Sequence, residues 1–140
     1  MSLFGTLSIA GSGMSAESER LSAIASNIAN ANSAVGAAGQ PYRAREVVFQ
    51  AATLPGDDGE EATSLGMSGV KVAAVVESDA PTHTVYDPSS TFANAQGYVQ
   101  MPNVNPVDEM VNMISAQQDY QANLEAFNVA KTLAMRTLSI

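Results

Sequence analysis

The sequence predicts a mainly α-helical protein with a small β-rich insert, in which two long terminal helices pack as a coiled-coil-like pair. Three observations support this fold class. Large apolar residues recur at steps of three and four near both ends, Gly, Pro, Ser, Thr, Asp and Asn dominate the middle, and a valine-rich run lies between. We therefore divide the 140 residues into an N-terminal helix (1–35), an irregular β-rich middle segment with a flexible acidic loop (36–104) and a C-terminal helix (105–140).

The N-terminal segment carries a heptad pattern, which is typical of a helix that packs along a partner helix. Its members are apolar except for Glu17, and they are Leu3, Leu7, Ala10, Met14, Glu17, Leu21, Ile24, Ile28 and Ala31. We expect this helix to end near Asn32, because Gly36 and Gly39 suit the exit from a helix.

The middle segment is predicted to be irregular. Residues 55–61, PGDDGEE, have the composition of a flexible acidic loop. Residues 69–78, GVKVAAVVES, are rich in valine and predict a strand, and 84–86 and 97–99 are shorter strand candidates. Asp87-Pro88 and Pro102-Asn103 indicate turns between them.

The C-terminal helix has clear start signals. Asn105 suits the N-cap, Pro106 suits the first helical position, and Asp108 and Glu109 complement the helix dipole. A second seam then steps by three and four through Met110, Met113, Gln117, Tyr120, Leu124, Phe127, Lys131, Ala134 and Leu138. Val107, Val111 and Ile114 are three further apolar residues that widen this stripe. The start of the helix could therefore contact more than one neighbour.

Composition excludes several classes of partner. The formal net charge is −8, and the six Lys and Arg residues are scattered, so no basic stripe exists to bind nucleic acid. There is no cysteine for a disulfide or a thiolate. Because no run of about 18 apolar residues occurs, we expect no direct membrane insertion. The first residues lack a basic start and a continuous apolar run, so we expect no cleaved signal peptide.

We predict no catalytic residue, no metal ligand and no cofactor. His83 is the sole histidine and lies in a Pro/Thr loop, where an exposed polar role is the ordinary one. The acidic run at 57–61 lacks the alternating spacing of a calcium loop. The sequence contains no G-x-S-x-G elbow, and a serine triad would have to use His83 as its base.

Taken together, the two seams predict a self-associating helical assembly. Asn27 and Asn123 sit within helices, where asparagine is a mediocre helix former, so we expect register-setting hydrogen bonds from them. Asn30 could equally end its helix. The predicted assembly interface consists of Leu3, Leu7, Met14, Leu21, Ile24, Asn27, Ile28, Asn30, Met113, Tyr120, Asn123, Leu124, Phe127 and Leu138.

These residues lie in segments that resemble the flagellar rod and hook protein family. Residues 21–33, LSAIASNIANANS, are similar to its N-terminal signature A-x-N-I-A-N-x-x-T, with Ser33 in place of Thr. Residues 41–43, PYR, and Phe49 stand where the family places its Tyr, basic residues and Phe. Residues 97–105, GYVQMPNVN, and 85–88, VYDP, resemble elements of the proximal-rod members.

Residues 116–123, AQQDYQAN, are similar to the family's A-S-R-x-Y-E-A-N. Gln118 replaces the usual Arg and Gln121 the usual Glu, so an ion pair available to relatives is missing.

The resemblance implies a structural subunit of the proximal rod, the drive shaft of the flagellar basal body, which transmits torque by helix packing within the periplasm. Implied partners are other proximal rod proteins, distal rod proteins, the adaptor and ring proteins at the base, and copies of the chain itself. It also implies delivery by the flagellar type III export apparatus, without a cleaved signal peptide. Family members' termini tend to be disordered before assembly.

Two alternatives remain open. The chain could be another axial subunit of the rod and hook family, although the hook and distal rod members have larger middle domains. A more distant alternative is a small secreted peptidoglycan hydrolase. That activity would require a carboxylate pair or a histidine-based site in a cleft.

Overall fold

The computed structural model describes residues 3–34, 40–53 and 68–138. Two long helices flank four short strands, which confirms the predicted fold class. The elements are α1 (Leu3–Asn30), β1 (Arg45–Thr53), β2 (Ser68–Glu77), β3 (His83–Tyr86), β4 (Tyr98–Met101) and α2 (Pro106–Leu138). The predicted acidic loop at 55–61 and the helix exit at Gly36 and Gly39 lie outside the described residues.

Helices α1 and α2 form an antiparallel pair. Asn27, near the end of α1, bonds Glu109 near the start of α2, and Gly13 meets Asn123 halfway along both helices. With 28 and 33 residues, the helices are roughly 42 and 50 Å long. α1 ends in a turn in which the amide of Ser33 donates to the carbonyl of Asn30 at 3.0 Å, close to the predicted end.

The start of α2 follows its sequence signals. The Oδ1 of Asn105 accepts from the amide of Val107 at 3.1 Å, and its Nδ2 donates to the carboxylate of Asp108 at 2.8 Å. This is an N-cap, and Pro106 occupies the first helical position, where its missing amide costs no hydrogen bond.

Strands β1 and β2 form an antiparallel hairpin that packs on α1. The register shifts between Val48 and Phe49, because Val48 pairs with Ala74 whereas Phe49 pairs with Val72. Ala73 is thus an extra residue in β2, as in a β-bulge, which bends the hairpin. The Oγ of Ser12 on α1 accepts from the amide of Val70 at 3.1 Å and ties the hairpin to the helix.

Strands β3 and β4 form a second antiparallel hairpin, which leads into α2. The rings of Tyr86 and Tyr98 meet edge to face at 5.2 Å across it. Gly97 has φ +82°, and a side chain there would also collide with the Tyr86 ring at 2.9 Å, so this position requires glycine. Within the described residues, neither helix is long and apolar enough to cross a membrane.

Candidate assembly surface

The buried stripe of α1 follows the predicted seam. All nine predicted positions from Leu3 to Ala31 are buried or half-buried, and Glu17 is among them. α1 contacts α2 on one side and the β1–β2 hairpin on another, so its covered surface is broad. The buried apolar residues of this helix are Ala10, Ala16, Ala23 and Ile24.

The buried stripe of α2 differs from the predicted seam at every second position. Met110, Gln117, Leu124 and Lys131 were predicted to face the partner helix, but they are exposed. Their places are taken by the residues one position earlier. The inward face therefore consists of Pro106, Glu109, Met113, Ala116, Tyr120, Asn123, Phe127, Ala130 and Ala134, which repeat by threes and fours.

Small side chains explain this choice of face. Ala116 is 0% exposed and Ala130 is 4% exposed, and they face a helix whose buried residues are also mostly alanine. A Cβ on Gly13 would lie 2.9 Å from the Nδ2 of Asn123, which shows how closely the helices approach there. Close approach gives many dispersion contacts per residue, whereas larger side chains at these alanine positions would hold the helices apart.

Asn27 connects α1, β1 and α2 at the place where the end of α1 lies beside the start of α2. Its side chain is 2% exposed. Its Oδ1 accepts from the amide of Arg45 at 2.8 Å and from the hydroxyl of Tyr42 at 2.9 Å. Its Nδ2 donates to the carbonyl of Arg45 at 3.0 Å and to the carboxylate of Glu109 at 2.9 Å. The amide group thus bonds both backbone groups of the first β1 residue and uses all four of its usual hydrogen bonds.

Sequence reasoning selected Asn27 but not its partners. Tyr42 lies in the chain between α1 and β1, Arg45 is the first residue of β1, and Glu109 was assigned only to the helix dipole. Asn103 is a similar connector, because its Oδ1 accepts from the amide of Ala44 at 2.7 Å. Its Nδ2 donates to the carbonyls of Ser78 and Ala80, at 3.3 and 3.0 Å. The turn-type residues in the PNVN element were the available signal for this role.

Large apolar residues lie on the opposite side of α2. We call Val107, Met110, Val111 and Ile114 the outer cluster. Their exposed fractions lie between 52% and 66%. Their spacing of three and four places them on one face, about 180° from Ala116 around the helix. Full burial of such a side chain contributes about 1.5–3 kcal/mol, so this face would gain from being covered.

A second apolar surface lies where the start of α1 meets the last turns of α2. It is an open groove of about 540 Å³, lined by Leu3, Thr6, Ala122, Glu125, Ala126, Val129, Ala130 and Leu133. Phe4 next to it is 78% exposed. Apolar surface is therefore also exposed to solvent where the start of α1 meets the last turns of α2.

The structure brings most of the predicted interface residues into the α1–α2 region. Asn30 is half-buried, and its Nδ2 donates to the carbonyl of Ser26 at 2.8 Å within α1. Leu124 is 40% exposed on the flank of α2. Leu138 ends α2, and its side chain lies outside the described residues. Whether these residues contact another subunit remains a prediction.

Residues that could support chemistry are dispersed. His83 is exposed on β3, beside an open pocket of about 460 Å³ that Pro81, Asn103 and Asn105 also line. Over residues 3–34, 40–53 and 68–138, no group of three His, Asp or Glu side chains is arranged to hold a metal ion.

The sequence matches two protein families, one near each end of the chain. Residues 7–37 match the family described as flagella basal body rod protein, and residues 95–140 match the one described as flagellar basal body rod FlgEFG protein C-terminal. These matches cover α1 from Leu7 onwards and the described length of α2, the two elements that carry the seams.

Similar proteins align over the whole chain. A flagellar basal-body rod protein FlgC of Salmonella typhimurium is 50% identical over 140 residues, covering 100% of this chain and 98% of the relative. One of Escherichia coli is 49% identical with the same coverage. One of Bacillus subtilis is 35% identical over 151 residues, covering 100% and 99%.

Proposed function

The chain belongs to the flagellar basal-body rod proteins and is a structural subunit of the rod, and from that premise we propose which surfaces join it to its neighbours. The proposed contacts are the outer cluster of α2, the apolar groove at the far end of the helix pair and the exposed Leu124 flank. The proposed partners are other proximal rod proteins, distal rod proteins, adaptor and ring proteins at the base, and copies of this chain.

One observation carries this proposal, namely the position of the outer cluster opposite the seam. The seam is already filled by α1, so a second helix-sized partner must use another face. Four large apolar side chains remain on that face, over two turns of α2. Burial of this cluster by a neighbour would supply several kcal/mol to assembly.

Torque transmission is supported by the way the subunit is tied together. The alanine-rich seam joins the helices closely, and Asn27 links both of them to the start of β1. Asn103 links the β1–β2 hairpin to the chain entering α2. A subunit with these cross-connections can pass a load from one surface to another without sliding of its helices.

We further propose a periplasmic position in the proximal rod and delivery by the flagellar type III export apparatus. The family supports both, since it places the chain in the rod. An export-deficient host should therefore retain this protein in the cytoplasm. Its appearance in the periplasm of such a host would reject the proposed route.

We assign the chain no enzymatic role. The hydrolase alternative requires two carboxylates that face one cleft. Glu17 and Asp119 are two carboxylates that share Arg20, but Glu17 is enclosed in the helix seam. Glu46 and Glu109 line one small open groove, but both carboxylate oxygens of Glu109 already accept hydrogen bonds, from Asn27 and Asn112. No observation favours hydrolysis over assembly.

The first test is quantitative mass spectrometry of purified basal bodies stripped of filament and membrane. We expect this chain in amounts comparable to the other rod subunits. Its absence from intact rods would reject the structural role itself.

The second test addresses the outer cluster. Val111→Asp should leave the fold unchanged, because the side chain is exposed, but should prevent incorporation into rods and abolish swimming. Gln118→Asp is the matched control, since it adds the same charge seven residues further along the same face, at a position that is already polar. Normal incorporation of Val111→Asp would reject the outer cluster as a contact.

A further inference from the structure

The β3–β4 hairpin is separate from the other helices and strands. Within the part of the chain that the structure describes, no Cα of β3 or β4 lies within 8 Å of a helix or of the β1–β2 hairpin. The segments that flank it provide its link to the body, where the Nδ2 of Asn103 donates to the carbonyls of Ser78 and Ala80. A two-stranded hairpin by itself is marginally stable in water, so this one would gain from a partner that covers it.

One face of the hairpin is open to solvent along its whole length. Directly opposite residues of an antiparallel pair point to the same side of the sheet. The open face therefore consists of the exposed residues Thr84, Tyr86, Tyr98 and Gln100, and we call it the tyrosine face. The other face is partly covered, since Val99 on that side is 3% exposed.

The loop at the tip of the hairpin adds a third aromatic side chain on an ordered backbone. Phe92 in this loop is 58% exposed. The Oδ1 of Asn94 accepts from the amides of Gln96 and Tyr98, at 3.0 and 2.9 Å, and so fixes the return of the chain into β4. Because these bonds already hold the loop, a partner that binds it would cost little ordering entropy. Exposed tyrosines on such a backbone are typical anchors of protein interfaces.

The charge around the hairpin is of one sign. Residues 72–130 contain no Lys or Arg and seven acidic residues, which are Glu77, Asp79, Asp87, Asp108, Glu109, Asp119 and Glu125. A cation from elsewhere lies near the base, where the Nη1 of Arg43 donates to the carbonyl of Ser78 at 3.0 Å. A partner with Lys or Arg around an apolar patch would complement both the acidic charge and the aromatic rings.

A second copy of this chain matches that description poorly. The formal net charge of −8 makes two copies repel each other on approach. Three of the six Lys and Arg residues, Arg20, Arg43 and Arg45, already contact groups of their own chain. An anionic membrane surface is disfavoured by its charge as well. The surface therefore fits a basic protein of another kind.

We propose that the tyrosine face and the tip loop of the β3–β4 hairpin form a docking surface for a different protein of the basal body, which presents Lys or Arg side chains around an apolar patch. The contact forms in the assembled rod and does not depend on the state of α1 and α2 in the free chain. It is separate from the outer cluster, the apolar groove and the Leu124 flank, so its failure would leave those proposals standing.

The first experiment identifies the occupant in assembled rods. Phe92 is replaced by the photo-cross-linking residue p-benzoylphenylalanine, which keeps an aromatic ring, and basal bodies are purified after illumination of swimming cells. We expect an adduct between residue 92 and a peptide of a different protein in which Lys and Arg outnumber Asp and Glu. The same label at His83, on the other face of the hairpin, is the control and should not give this adduct.

Several outcomes of the cross-linking would overturn the proposal. They are an adduct with a copy of this chain, an adduct within the same chain, an adduct with a lipid or a glycan, and a partner peptide without excess Lys and Arg. The absence of any adduct, or an equal yield from His83, would overturn it as well.

The second experiment tests the sign of the partner's charge at one position. Gln96 is exposed, and Gln96→Lys and Gln96→Glu both keep the backbone amide that bonds Asn94. Each variant is co-expressed with the wild-type chain, and mass spectrometry compares their ratio in basal bodies with their ratio in whole cells. We expect Gln96→Lys to be depleted at least about threefold relative to Gln96→Glu, because a cation at the rim repels a basic partner. Equal incorporation, or depletion of Gln96→Glu, would reject a basic partner.

Discussion

The two sides of α2 differ in how much of their apolar surface the chain itself covers. The inward side carries Ala116, Ala130 and Ala134 among larger residues, whereas the outward side of its first turns carries Val107, Met110, Val111 and Ile114. In most small domains the largest apolar residues lie in the core. Here four large apolar side chains are left for neighbours, and the intrachain contact combines Met113, Tyr120 and Phe127 with close approach at the alanines and with hydrogen bonds. This arrangement suits a subunit that gains much of its stability on assembly.

The largest predicted effect concerns the inward side. Asn27→Ala removes four hydrogen bonds and leaves the amide and carbonyl of Arg45 without their partner. We expect a loss of roughly 2–5 kcal/mol in the free energy of unfolding, since each of the four lost, partly buried hydrogen bonds contributes about 0.5–1.5 kcal/mol. Urea unfolding monitored by circular dichroism measures this change.

Asn32→Ala is the control for Asn27→Ala, because Asn32 is an exposed asparagine in the turn after α1. It should change stability by less than about 0.5 kcal/mol. If both variants unfold at the same urea concentration, the Asn27 connections do not hold the elements together.

A second change tests whether small size sets the seam. Ala116→Leu places three extra carbons at a position that is 0% exposed. Overpacking of this kind costs about 1–3 kcal/mol and should push the helices apart. Ala122→Leu adds the same group at an exposed alanine of α2 and should cost little. Equal unfolding midpoints for the two variants would show that the seam has room for larger residues.

Periodicity predicted both helices and their pairing, but not the side of α2 that faces inward. Leu124 and Asn123 are adjacent in sequence and about 100° apart around the helix, so a stripe drawn through either one keeps Met113, Tyr120 and Phe127. The predicted stripe contained Leu124, the larger apolar residue. In the structure Asn123 faces inward instead, because this position permits close approach of the helices. A single sequence records hydrophobicity directly, but not the interhelical distance that decides between these positions.

Strand β1 was missed for a related reason. Its residues, REVVFQAAT, do not alternate between apolar and polar, and most of them are exposed. The strand forms because it pairs with β2, which the valine-rich run did predict. The partners of Asn27 could not be predicted either, since Tyr42, Arg45 and Glu109 come from distant segments that only the folded chain brings together.

The third prediction concerns the flank between the two sides of α2. Leu124→Asp puts a charge on a side chain that is 40% exposed, so the isolated chain should lose only about 1–2 kcal/mol. We expect rod incorporation and swimming to be lost nonetheless, because a neighbour would have to bury the charge. Gln121→Asp controls for the added charge at an exposed polar position. Normal motility of Leu124→Asp would exclude this flank from the interface and leave the outer cluster as the principal contact on α2.

The smallest expected effect lies outside both sides of α2. His83 is exposed on β3 and lines an open pocket beside the start of α2. His83→Ala should therefore change neither swimming speed nor the amount of the chain in purified basal bodies, because no contact of the helix pair depends on it. It is the sole histidine of the chain. A strong motility defect with normal rod incorporation would mean that the chain does chemistry as well as assembly, and the hydrolase alternative would then have to be tested directly.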